Sequence, residues 1–427
     1  MANKKPKSLC LLLLISSLAI GQNGPVPPTY FGMHDNNQDF TGSNYPVVPF
    51  GTFRIWDKEP INWYEVETAR GVYNWTAFDT IMNKLTVSGV TDVLYTFGYT
   101  PPWATGGAGT SGHSLWSCLP PTNNQDMIDF ISAVATRYKG RIKHYETWNE
   151  PFGAFFCGTM TQLVQIQNDV YTTVKAIDPT AQVHSPTVGL SATPGDCTNA
   201  SNGPYNFGAF MTALGDPTKV DAIDVHLYPY PDGTFPESSP GTIFTQLANA
   251  KCTMAQFGIS SKPLWNTEFS WYRPSLPTGT DLPAMVARTF LYFWSQGVSR
   301  SYWYAYDNPD WGTLFNFPTG LTLTAAGVAY QQVYNWMVGS TMNTPCVASG
   351  TVWTCGLINS AGAQTLAVWN TAGSSPYTPA PQYANYKDLA GTTHSISGTV
   401  TIGIQPLLFV GAASLPAPPS GLTAAVQ

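Results

Sequence analysis

The sequence predicts an α/β chain, a (β/α)8 TIM barrel followed by a small all-β sandwich. Three observations carry this. Strand-length apolar and β-branched runs alternate with helical runs for about eight cycles between Thr29 and Val338. No glycine-rich dinucleotide fingerprint follows the first strand, which disfavours the rival, an open doubly wound sheet. After Gly339 the helical period stops, and short alternating runs separated by Gly, Ser and Pro take over.

The elements follow in order. Lys4, Lys5 and Lys7 precede a mostly apolar run from Leu9 to Ile20, with small residues before a cut at Gln22. Residues 1–21 therefore read as a signal peptide, and a secreted or periplasmic location is expected. The run is too short for a comfortable membrane span, no later segment is long enough, and Cys10 is badly placed for a lipid anchor. Residues 22–340 are expected to form the barrel, 341–413 the sandwich, and 414–427 a Pro/Ala-rich tail.

Barrel strands are expected at Thr29–Asp35, Thr52–Asp57, Thr91–Phe97 and Ile142–Glu150, then at Gln182–Thr187, Val220–Tyr228, Pro263–Phe269 and Arg300–Tyr306. Pro151 ends the fourth. Helices are expected near Thr76–Ser88, Asn124–Tyr138, Thr161–Ile177, Thr242–Phe257, Leu282–Gln296 and Thr324–Val338. Residues 104–121 form a long loop with His113 and Trp116. In the last part, Val352–Ile358, Gln364–Trp369 and Val400–Ile404 alternate as strands of a sandwich.

Only 10% of the 427 residues are charged, while 13% are aromatic. Low charge with many aromatic rings argues against disorder and suits both a core and stacking on sugar faces. The signal removes three of 19 basic residues and none of the 25 acidic ones, a poor footprint for nucleic acid. Six cysteines remain after Cys10, an even number that points to disulfides in an exported chain. The expected pairs are Cys118–Cys157, Cys197–Cys252 and Cys346–Cys355. No zinc-like CxxC, HExxH or HxH spacing occurs, so no metal and no cofactor is expected.

The chain has only seven glutamates, and two of them, Glu150 and Glu268, close the fourth and seventh strands. Barrel active sites form at those C-terminal ends. Two such carboxylates facing one cleft can divide glycoside hydrolysis. One protonates the leaving oxygen, and the other attacks or activates water. The bland alternative is that each pairs with an arginine or caps a helix.

Tyr145-Glu146-Thr147-Trp148-Asn149-Glu150-Pro151 resembles the acid/base motif of the clan A glycoside hydrolases. Trp265-Asn266-Thr267-Glu268, with Phe269, Ser270 and Trp271, resembles their nucleophile strand. Thr100-Pro101-Pro102-Trp103 and His226-Leu227-Tyr228 match clan members too. Glu146 four places before Glu150, and the Trp-Asn-Glu-Pro run, are most similar to glycoside hydrolase family 39, with families 30, 79 and 5 as relatives. The likeness of architecture covers residues 29–413, but the motifs are short.

The resemblance implies a retaining enzyme with Glu150 as acid/base and Glu268 as nucleophile, and a carbohydrate as its partner. It makes Arg54 the arginine that keeps Glu268 ionised. The alternative is a structural ion pair with Glu146. Asn149 is placed for a sugar 2-hydroxyl, and Tyr228 for Glu268. His226 would contact a carboxylate or the sugar, unless it is a satisfied barrel residue. Trp303 resembles the clan's sugar platform, with core packing as its alternative. Trp103 and Trp116 are weaker platforms. His34 and Asp35 are candidates for sugar hydroxyls or for a barrel-bottom polar network. Glu146 would become the acid only if the strand bulged. β-Xylosidase-like or endo-β-glucanase-like action on wall polysaccharides or oligosaccharides is the expected activity, and a non-catalytic carbohydrate-binding barrel is the alternative.

Overall fold

The computed structural model describes residues 24–36, 45–56, 60–107, 117–229, 232–271, 276, 279–316 and 322–412. Trp116, His113, the signal segment and the tail lie outside them.

Eight strands run parallel around the barrel: β1 Phe31–Met33, β2 Thr52–Ile55, β3 Val93–Thr96, β4 His144–Glu146, β5 Gln182–His184, β6 Ile223–His226, β7 Leu264–Phe269 and β8 Val298–Trp303. Their order is β5-β4-β3-β2-β1-β8-β7-β6. The ring closes between β5 and β6, where Asp221 N donates to Val183 O at 2.7 Å and Ser185 N to Ala222 O at 3.0 Å. The helices are α1 Thr76–Val87, α2 Asn124–Arg137, α3 Met160–Ile177, α4 Phe207–Leu214, α5 Thr242–Gln256, α6 Leu282–Ser295 and α7 Ala325–Met337. Sequence pattern missed α4, a short helix that Asn206 caps by accepting from Ala209 N. Asn123, Asp281 and Thr324 cap others in the same way, and Thr159 with Gln162 forms a capping box.

The barrel interior differs from the usual layers of Val, Ile and Leu. Arg54 from β2, Glu146 from β4 and Thr267 from β7 meet inside it. A bulge in β7 makes this possible. Against β8 the register runs Ser301↔Asn266 and then Trp303↔Phe269, and against β6 it runs Val225↔Asn266 and then His226↔Glu268. The extra residue turns both Thr267 and Glu268 inward, where strict alternation would send one of them out.

A six-stranded antiparallel sheet lies C-terminal to the barrel, in the order Thr341–Ser349, Val352–Ile358, Gln364–Asn370, Leu407–Gly411, Tyr383–Lys387, Thr393–Ser395. A two-stranded sheet, Ser375–Tyr377 with Val400–Ile402, packs on it through Val368, Val400, Ile402 and Phe409. The sandwich touches the barrel where Trp369 Nε1 donates to Glu237 at 2.9 Å and Cys346 N to Ser295 Oγ at 2.8 Å. All three expected disulfides are present, with Cα separations of 5.1, 5.1 and 4.2 Å. Among the described residues, no helix is long and apolar enough to cross a membrane.

Candidate active site

The regular ladder of β4 stops at Glu146, four residues before the expected end. The chain stays extended through Trp148, whose carbonyl accepts from Thr187 N at 3.0 Å. It then turns at Glu150, where φ is +37°. A non-glycine residue held there costs about 1–3 kcal/mol, so its surroundings must impose the turn. Gly153 N donates back to Glu150 O at 2.8 Å, and the Cys118–Cys157 disulfide ties the segment after Glu150 to the loop after β3. The result aims the Glu150 carboxylate into the barrel mouth, with its side chain 23% exposed.

Glu268 lies opposite on β7, with its side chain 7% exposed. Arg54 Nη1 donates to its Oε1 at 2.6 Å, and the Tyr228 hydroxyl to its Oε2 at 2.9 Å. His226 sits between the two carboxylates, with Nδ1 2.7 Å from Glu150 Oε1 and 3.5 Å from Glu268 Oε2. One ligand atom from each of Glu150, His226 and Glu268 lies within 4.8 Å of the others, so the same three groups are close enough to hold a cation.

Arg54 touches both of the glutamates that the sequence sets against it. Nη1 holds Glu268, while Nε donates to Glu146 Oε2 at 2.8 Å and Nη2 also reaches Glu146. Nη2 also donates to Asn149 Oδ1 at 2.7 Å, and Asn149 is itself buried. Glu146 is fully buried and accepts further from Thr96 (2.6 Å), Thr187 (2.7 Å) and Thr267 (3.0 Å). Burial works against its charge, but Arg54, then His226, then the Thr96 and Thr187 hydroxyls hold its carboxyl below the usual range. It is a buried, paired group with no access to a ligand.

Burial pushes the Glu268 carboxyl up, Glu150 adds to the push, and His226 and Arg54 oppose it. For His226 burial acts downward, but Glu268 and Glu150 outweigh it and raise the imidazole above its usual 6.5. Burial, and then the charge of Glu268, lifts the Tyr228 hydroxyl far above its usual range, so it remains a donor.

Two expected sugar contacts, Trp303 and His34, are corrected. Trp303 is 1% exposed and packs outside the strands against Phe269, Trp271, Phe290 and Tyr330, with Nε1 donating to Gly312 O. It is core. Along β8, Arg300 and Tyr302 face inward, so the next inward aromatic is Tyr304, one residue beyond Trp303. Trp103 Nε1 donates to Glu67 O, and its ring meets Trp63 and Arg70 in the packing beside α2. His34 is fully buried, its Nε2 3.0 Å from Thr267 O and its ring against Tyr304.

Two aromatic pairs beyond the strand ends escaped the sequence reading. Trp311 is half-buried, with its ring 5.2 Å from Tyr228 and 6.2 Å from Tyr304. Trp56 stacks on Tyr99 at 4.4 Å beyond the ends of β2 and β3, beside the Cys118–Cys157 bond.

No protein-family model and no curated protein matches the sequence. Solved structures do. One described as a family 39 glycoside hydrolase from the gut symbiont Bacteroides cellulosilyticus WH2 has a TM-score of 0.68 at 18% identity, over 90% of this chain and 81% of that one. A family 44 endoglucanase of Clostridium acetobutylium has a TM-score of 0.57 at 16% identity, over 93% and 98%. A monomeric β-xylosidase from Caulobacter crescentus has a TM-score of 0.58 at 14% identity, over 91% and 97%. At these identities the likeness is one of fold: the chain has the architecture of structures described as glycoside hydrolases.

Proposed function

We propose that this chain is a secreted retaining β-glycoside hydrolase in which Glu150 is the acid/base and Glu268 the nucleophile. One observation carries the reading. Two carboxylates face each other with oxygens within 4.8 Å, one half-open to the mouth and the other clamped by Arg54 and Tyr228. Retaining enzymes need carboxyl groups ~5–5.5 Å apart, whereas inverting ones leave room for water at ~6.5–9.5 Å.

In the first step a Glu268 oxygen forms a bond to the anomeric carbon as the bond to the leaving oxygen breaks. The proton for that oxygen comes from Glu150, which holds it together with His226 2.7 Å away. In the second step Glu150 takes a proton from water, whose oxygen displaces Glu268. Asn149 offers its amide nitrogen to the sugar 2-hydroxyl, and Tyr304 and Trp311 wall the site. The endoglucanase and β-xylosidase among the fold neighbours support a β-linked wall polysaccharide or its oligosaccharides as substrate class. Three disulfides, and a leader that reads as a signal peptide, support export.

The test is hydrolysis of a panel of aryl β-glycosides and wall polysaccharides, with the first-formed anomer read by NMR. Retained β-product is expected. Binding without hydrolysis from acid to neutral pH would favour a carbohydrate-binding barrel instead. Glu268→Ala should lose about 10⁴-fold or more in turnover, with azide restoring a product of inverted configuration. Glu150→Ala should lose about 10²–10⁴-fold on poor leaving groups and far less on good ones. Full turnover in excess chelator is expected, and its loss would move the chemistry to a cation held by Glu150, His226 and Glu268.

A further inference from the structure

Beneath these carboxylates the barrel holds a second row of titratable groups that the proposed reaction does not use. Asp224 on β6 presents its two oxygens 2.9 and 3.0 Å from His184 Nδ1 on β5. His184 Nε2 lies 3.3 Å from His144 Nδ1 on β4, and His144 Nε2 lies 3.4 Å from Asp92 Oδ2. There the row is anchored. Arg300 holds both oxygens of Asp92, and Thr52 donates to it at 2.8 Å. Trp265 packs on both imidazoles, at 4.7 and 4.3 Å between ring centres. At the upper end Asp224 feels the charge of Glu146 on the neighbouring side of the barrel.

The proton order follows from the anchored end. Asp92, clamped by Arg300, is an anion, so the nitrogen facing it must carry hydrogen. A neutral imidazole has one N–H. His144 Nδ1 is then bare and requires hydrogen on His184 Nε2. His184 Nδ1 is bare in turn, and the carboxyl facing it must supply the proton. Both rings are neutral, because burial, with Arg300 adding to it, pushes His144 down to about 4 and His184 down to about 3. At the upper end Glu146 already takes four side chains as donors, so it is the ionised member of the Glu146–Asp224 pair. Two neighbouring buried carboxylates do not both ionise cheaply.

We propose that Asp224 is a neutral carboxylic acid that donates to His184 at neutral pH, and that its neutrality reserves the charge of Arg54 for Glu146 and Glu268. Asp224 is a positioning residue, acting through Glu146 and Arg54. Glu146 and His184 face it directly, and Arg54 and His226 act on it from β2 and from its own strand. Burial, and then the charge of Glu146, pushes its carboxyl well above the usual range against Arg54 and His226. The consequence for Glu268 rests on the glycosidase reading, whereas the protonation does not.

Nitrogen NMR of the imidazoles in the full chain tests the protonation. Between pH 5.5 and 7.5, His144 and His184 should both show hydrogen on Nε2 and neither should titrate. Hydrogen on His184 Nδ1 would mean an ionised Asp224 and overturn the proposal. Stability supplies an independent sign. A carboxyl whose folded pKa is raised stabilises fully below its unfolded value of about 3.9, and that stability is lost as pH rises toward the folded value. The stability of Asp224→Asn relative to the parent chain should therefore climb as pH rises above about 4. A falling difference overturns the proposal. For the positioning role, Asp224→Ala should lower kcat with KM little changed, and Asp224→Asn should recover most of it. An Asn variant as slow as the Ala variant removes that role. If the parent chain hydrolyses nothing, the glycosidase reading fails, while the NMR and the stability slope still decide the protonation.

Discussion

Arg54 donates to Glu268 at 2.6 Å from a guanidinium whose other nitrogens hold Glu146, so one buried cation serves two buried carboxylates. Its planar fork makes this possible, because the donors diverge in fixed directions and each carboxylate meets its own N–H. The stack has a consistent order. The pair with Glu146 fixes the guanidinium from below, and the fixed guanidinium fixes Glu268 from beside. Removing either carboxylate changes what the other experiences.

Arg54→Lys tests that order. A lysine carries the charge on one point and cannot reach both partners. Breaking a buried ion pair costs about 3–5 kcal/mol, and losing a donor aimed at a reacting carboxylate costs about 10²–10³ in kcat. Denaturant unfolding should lose several kcal/mol, and kcat should fall by that factor, on the proposed reaction. A Lys variant with parental stability and turnover contradicts the coupling.

How much of this was legible beforehand varies by residue, for physical reasons. Glu150, Glu268, His226 and Tyr228 were readable because they follow strand-like runs, and strand ends are where a barrel gathers its site. Glu268 nevertheless reaches the interior only through the β7 bulge, which no alternation pattern records. The platform was misread for a related reason. Barrel strands are buried on both faces, so Tyr302, Trp303 and Tyr304 give no polar alternation to reveal which aromatic points in. The row from Asp224 to Asp92 was invisible because its members are scattered from residue 92 to residue 300 and meet only when the barrel closes.

The corrected platform makes a paired prediction. Trp303 is packed among aromatic rings from β7, α6 and α7, so Trp303→Ala should lose about 3–5 kcal/mol of stability. Trp311 is half-buried against Tyr228, so Trp311→Ala should leave the unfolding midpoint nearly in place. Its effect should fall on KM for oligosaccharides, by about two- to tenfold, as expected for losing a stacking contact of ~0.5–1.5 kcal/mol. Steady-state kinetics beside denaturant curves reads both. Exchanged outcomes would restore Trp303 as the platform.

His226 carries a prediction about pH. Its two carboxylate neighbours hold the imidazolium against burial, Glu268 through its charge and Glu150 through a hydrogen bond and its charge. Removing either charge should lower its pKa. The fall is expected in both Glu268→Gln and Glu150→Gln. The sign for stability follows. A raised folded value gives stabilisation that is complete below 6.5 and lost as pH rises through the folded value. The alkaline limb of turnover should lie above 6.5, because the His226 proton leaves there. Proton NMR of the imidazole in the parent and both variants reads the fall, and an unmoved His226 would falsify the bridging arrangement.

The last prediction concerns the joint between barrel and sandwich. Glu237 lies in the segment between Tyr228 and α5. Its Oε1 accepts from Arg288 Nε at 2.6 Å and from Trp369 Nε1 at 2.9 Å, and the Arg288 guanidinium lies 3.5 Å from the centre of the Phe235 ring. Glu237 and Arg288 are both buried, so neither charge has water to fall back on. Glu237→Ala leaves Arg288 uncompensated and should cost about 3–5 kcal/mol. Replacing both partners, Glu237→Leu with Arg288→Met, removes the charges together and should return stability to within about 1 kcal/mol of the parent or above it. Trp369 loses its acceptor in both variants, so the difference between them isolates the unpaired guanidinium. Urea unfolding of the full chain reads the two values. Equal losses in the single and double variants would show that packing around Trp369, rather than the ion pair, holds the joint. The single variant should also slow turnover, because the same segment begins at Tyr228, whose hydroxyl donates to Glu268.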